Sequence, residues 1–167
     1  MVKEYYHQIS EEYQEIAEKL CSMAKTHYPE LAHINPDDIV FLEEYENLPK
    51  GWLARIHRVR PPYTKFVGKA FIIEVARRWV EGLKFDRARK VAMIYHELLH
   101  INPDIETGGL IDHDVKDFRR VIGRFGVDWI HTENLPNLLG DSDSIHAGEI
   151  IPEKGKVVNF PTAGGLN

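Results

Sequence analysis

The chain has 167 residues, 43% of them hydrophobic and 28% charged, which suits a soluble globular fold of one domain with a sizeable core. Its net charge of −5 argues against a protein given over wholly to nucleic acid, and its one cysteine, Cys21, leaves no intramolecular disulfide and no thiolate-rich metal site. The charge is uneven: residues 1–49 carry 3 basic and 11 acidic side chains, residues 50–90 carry 12 and 3, and residues 91–167 carry 6 and 12.

In chain order, the first twenty residues are studded with Lys, Glu and Gln, so no secretory leader is expected. Ser10 is placed to cap a helix running to about His27, with Tyr13, Ile16, Ala17, Leu20, Met23 and Ala24 as its apolar stripe. Cys21 reads as a small apolar side chain on that helix. Pro36-Asp37-Asp38 signals a turn and Ile39–Leu42 a short strand. Pro49-Lys50-Gly51 is a second turn, and Leu53–Val59 alternates as a strand with one wet face, broken by Pro61-Pro62. Ala70–Val75, rich in β-branched and aromatic residues, is the strongest strand candidate. A short helical turn over Arg78–Leu83 leads on to the next helix.

That next helix carries the most informative stretch, His96-Glu97-Leu98-Leu99-His100. Two histidines four apart project from one helical face, so both imidazoles reach one metal ion. The glutamate between them lies about 100° round the helix, within reach of a water on that metal. Asp86 is a plausible N-cap, and Asn102-Pro103 is the stop. The last three turns are apolar nearly all round, which predicts burial. Ionisable groups in such a setting are costly unless paired or bound to metal.

A catalytic zinc site needs a third protein ligand, and His113 is the favoured one, with Asp117 and Asp114 as rivals. Pro103 and Gly108-Gly109 let the chain turn back towards the helix. Val115, Phe118, Ile122 and Phe125 recur at helical spacing, so a second helix is expected with His113 at or near its N-terminus. Asp112, Asp114 and Asp117 also read as acceptors that could orient a ligand histidine. His131 and His146 read as surface histidines. Tyr63, Tyr95, His131 and several arginines are candidates for a second oxyanion donor.

The order helix, three strands, metal helix, second helix gives an α+β layer fold. Residues 1–131 form the expected domain and 132–167 a loop-rich extension, with a hairpin conceivable over 149–160. The basic 50–90 block could meet nucleic acid, but no nucleic-acid motif accompanies it, and pairing with the acidic first helix is favoured. No apolar run spans a bilayer, and the expectation is a cytoplasmic protein without a membrane partner.

Met93–Ile101, followed by His113-Asp114-Val115-Lys116-Asp117-Phe118, resembles phage- and prophage-encoded metallopeptidases, small zincin-like proteins with a HELLHI helix and a downstream HDV.DF segment. The resemblance covers roughly Trp52 to Trp129. It implies a zincin-like arrangement with an exposed edge strand beside the metal helix, for which Ala70–Val75 is the candidate, Zn²⁺ on His96, His100 and His113, Glu97 as general base, and a protein or peptide substrate. A more distant likeness is to SprT-like metalloproteases, whose cysteine-built zinc ribbon this chain lacks. The alternatives to a peptidase are a hydrolase of a non-protein amide and a non-catalytic module stapled by zinc.

Overall fold

In the computed structural model, which describes residues 7–45, 49, 51–104, 109–113 and 117–140, four strands make one sheet. They are β1 (His7–Ile9), β2 (Ile39–Glu44), β3 (Ala54–Arg58) and β4 (Phe71–Ala76). Alternation sets the faces: Ile39 and Phe41 of β2 and Phe71, Ile73 and Val75 of β4 are buried on one side. The order is β1-β2-β4-β3, with β2 and β4 parallel in register from Ile39↔Phe71 to Glu44↔Ala76 and both outer pairs antiparallel.

Two expectations are corrected here. The sheet has four strands rather than three, because His7-Gln8-Ile9 pairs with β2 although three residues are too few to show a period. The Ala70–Val75 segment is not an exposed edge: β4 is hydrogen-bonded on both sides, and β3 is the edge strand lying against the metal helix.

The helices among the described residues are α1 (Glu11–Ser22), α2 (Tyr63–Val67), α3 (Arg77–Gly82), α4 (Arg87–Leu99) and α5 (Arg119–Phe125). Helix α1 buries Tyr13, Ile16, Ala17 and Leu20 and stops before His27. There the Ser22 and Thr26 hydroxyls bond to the Lys19 and Met23 carbonyls, and turns replace the helical ladder. Ser10 holds the N-cap position, but its hydroxyl donates to Glu43 Oε1 at 2.9 Å instead of capping the helix. Pro61-Pro62 ends β3 as expected. The chain then turns into α2, which closes on Gly68 in the left-handed region at φ 67°.

Helix α4 is apolar nearly all round because it has neighbours nearly all round. It contacts α1, β3, α5 and the 3-10 turn at Pro29–Leu31, and buries Val91, Ala92, Met93, Ile94, Tyr95 and Leu98. Asp86 caps it, accepting from the Arg89 N–H at 2.8 Å. At its start, Lys90 and Arg87 pair with Glu12 at 2.8 Å and Glu15 at 3.5 Å, so acidic α1 and basic α4 attract along their contact. Tyr28 donates to the Leu138 carbonyl at 2.6 Å, and Leu135 and Leu138 are buried in the same core, on the far side of the boundary expected at 131. The possible 149–160 hairpin lies outside the described residues. No helix among the described residues is long and apolar enough to cross a membrane.

Ile73 is fully buried on the central strand. Ile73→Ala should cost about 2–5 kcal/mol of unfolding free energy, read from the urea midpoint.

Candidate metal centre

His96 lies in the last turn of α4 and His100 is the C-cap residue just past its end, and what the chain does next brings a third imidazole to them. Pro103 bars continuation of the helix, and Asn102 Oδ1 accepts from the Asp104 N–H at 2.9 Å in a tight turn. The returning chain pairs Leu110 with Ile101 in an antiparallel bridge. The Ile111 N–H donates to the His100 carbonyl at 2.7 Å, and the His100 Nδ1–H donates to the Ile111 carbonyl at 2.6 Å. Two residues later comes His113, whose Nε2 is 3.1 Å from His96 Nε2. One ring nitrogen from each of His96, His100 and His113 lies within 4.8 Å of the others.

Two imidazole nitrogens on one tetrahedral zinc, at bond lengths of about 2.0–2.1 Å, stand about 3.3 Å apart. The 3.1 Å separation of His96 and His113 is close to that value. The donor chemistry also fits. His100 spends Nδ1 on a carbonyl, which leaves Nε2 as its lone-pair atom. His96 Nδ1 sits 2.9 Å from Asp117 Oδ1, which leaves its Nε2 facing His113. Burial lowers the His100 pKa against the Ile111 carbonyl, favouring the neutral ring that a cation needs. The three histidines could therefore hold a metal ion.

The surroundings hold these rings still. The Phe118 ring lies edge-on to all three, with centroids 5.5, 4.7 and 5.1 Å from His96, His100 and His113. Asp117 Oδ2 accepts from the Trp129 indole N–H at 3.0 Å, and Oδ1 from the Phe118 N–H at 2.6 Å. Burial pushes the Asp117 carboxyl up, but His96, Trp129 and Phe118 outweigh it and hold the group below its usual value. Glu97 is 5% exposed, with Oε1 4.0 Å from His96 Nε2. Burial pushes its carboxyl up to about 7, His96 lowering it and Asp117 raising it.

Several expected roles move. His113 is not at a helix N-terminus: α5 begins only at Arg119, and the Leu110–Ile101 pairing positions the histidine instead. Asp117 stands behind His96, its Oδ1 2.9 Å from His96 Nδ1 as an ion-pair contact without hydrogen-bond geometry, and outside the group of ring nitrogens. Asp112 is exposed, and Asp114 and His146 lie outside the described residues. Tyr95 is buried elsewhere, donating to Glu30 and accepting from Arg124 Nε at 3.2 Å. His131 pairs with Asp128 at 2.8 Å on the surface, and Tyr63 is exposed on α2. Phe118 and Trp129 were not legible as site residues. Phe118 read as a core position, and nothing in the spacing ties Trp129 to Asp117.

The family model for putative phage metallopeptidase matches residues 5–140. The chain belongs to that family. No curated protein and no solved structure matches it. The matched span takes in all four strands, the three histidines and Trp129, so a metallopeptidase name falls on the part of the chain that gathers a possible metal site.

Removing one of three imidazoles should cost the site its metal. His113→Ala purified without an affinity tag should carry less than about a tenth of the wild-type metal by plasma mass spectrometry. Asp117→Asn should keep the fold but weaken metal affinity roughly 10–100-fold in a chelator competition.

Proposed function

We propose that the chain is a zinc-dependent peptidase in which His96, His100 and His113 hold Zn²⁺ and Glu97 is the general base. The observation that carries this reading is a buried carboxylate 4.0 Å from the nitrogen cluster, in a chain of a metallopeptidase family. Zinc, when bound, supplies a Lewis acid that polarises a carbonyl and brings water near neutrality into a deprotonatable range.

The protein's own groups do the rest. Glu97 takes a proton on Oε1 as water adds to the scissile carbonyl carbon, then gives it to the departing amine nitrogen. Its burial beside the histidines places one carboxylate where it can serve both transfers. Asp117 and the Ile111 carbonyl hold two imidazoles with Nε2 presented inward. Edge strand β3 lies against α4 and can accept an extended peptide by strand addition, which would bring a substrate backbone past the histidines.

Glu97→Gln separates binding from chemistry. The variant should retain zinc near one equivalent and lose roughly 10²–10⁴-fold in hydrolysis of an unfolded protein substrate. Turnover near wild type would remove Glu97 from the role of base. Metal-free wild type that also refuses added zinc would overturn the reading as a whole.

A further inference from the structure

Helix α2 is amphipathic the wrong way round. Its residues Tyr63, Phe66 and Val67 fall within about a 100° arc, the arc that a surface helix normally turns to the core. Here it faces water: Phe66 is 83% exposed, Tyr63 65% and Val67 49%. None of the described core residues covers it, and the flanking Arg60, Pro61, Pro62 and Gly68 are exposed as well. The excursion is anchored at its base, where the Val59 N–H donates to the Ala70 carbonyl at 2.8 Å and the Ala70 N–H to the Asp38 carbonyl at 2.7 Å. Lys69 Nζ also donates to the Asp37 carbonyl, at 2.6 Å. A firmly based loop thus lifts an apolar tip out of the body.

The tip is set in positive charge. From Trp52 to Ile73 the chain has five basic residues and no Asp or Glu, although its net charge is −5. Arg55 is taken up by Glu74 and Lys69 by the Asp37 carbonyl, while Arg60 and Lys65 are exposed around the tip. An isologous contact with a second copy would bring two such basic segments together, which disfavours self-association. A single-stranded nucleic acid would want aromatic faces along a basic groove. The grooves of about 550 Å³ beside Ser10 and Lys90 and beside Phe118 lie elsewhere, with no residue of this segment in their lining. Val67 offers no ring on which a base could stack. A convex apolar tip in a basic collar suits a soft anionic interface, where the apolar side chains enter the acyl boundary and the cations stay among the headgroups.

We propose that residues 58–69 form a peripheral docking tip for an anionic lipid surface, separate from the metal centre. Co-sedimentation of the full chain with phosphatidylcholine vesicles containing roughly 30% phosphatidylglycerol, against phosphatidylcholine alone, tests it. The protein should pellet with the anionic vesicles only, and less at about 0.5 M salt. Phe66→Ser and Lys65→Glu should each lower the bound fraction at least about fivefold, while Lys25→Glu, a charge reversal on another exposed surface, should not. Far-UV circular dichroism checks that the variants are folded. Failure of wild type to pellet, or a Phe66→Ser variant that pellets like wild type, overturns the proposal. So does binding to single-stranded oligothymidylate by fluorescence anisotropy without pelleting, which would assign the tip to nucleic acid.

Discussion

Burying the end of helix α4 requires that the two histidines there, His96 on the helix and His100 at its C-cap, find partners. The helix is enclosed by α1, β3, α5 and the 3-10 turn at Pro29–Leu31, and its buried surface includes Glu97. An unpaired polar group in such a place costs several times what a typical hydrogen bond returns. The chain answers with elements that come later in sequence: the Ile111 carbonyl on His100, Asp117 on His96, and His113 beside both. The gathering of the three histidines and the packing of the helix are therefore one problem with one solution.

The return of the chain after Ile101 is the part of that solution with the least sequence to specify it. Its hold on the helix is the Ile101–Leu110 bridge together with the paired bonds between His100 and Ile111. These are short-range contacts, yet they decide where the third imidazole falls. Phe118 then closes the cluster from one side, and Trp129 braces the carboxylate behind His96. A ring nitrogen moved by an ångström would miss a tetrahedral ion, so the apolar neighbours contribute to the site by limiting motion.

Charge is distributed with a comparable logic. Acidic α1 lies against the basic start of α4, and Glu74 on the open face of the sheet gathers Arg55, His57 and His7. These pairs consume part of the basic middle segment that the sequence displays. On the α2 excursion, Arg60 and Lys65 stay exposed beside aromatic side chains that the core does not use.

Spacing along the chain was enough to place helix α4, its cap at Asp86, and His96, Glu97 and His100 at its C-terminal end. These follow from spacing within a single element, where helical geometry is fixed by the backbone. It also determined β2, β3 and β4 to within a residue or two, because alternation survives wherever one face is buried. It did not disclose β1, whose three residues are too few to carry a period. Nor did it show that Ala70–Val75 would lie inside the sheet, since pairing partners are set by topology and not by the strand's own composition. Only the tertiary structure decided that His113 is delivered by a backbone bridge instead of a helix end, that Asp117 stands behind His96, and that Phe118 and Trp129 complete the surroundings. Those relations join residues 11 to 33 positions apart that no common period links. They exist only once the chain has turned back on α4.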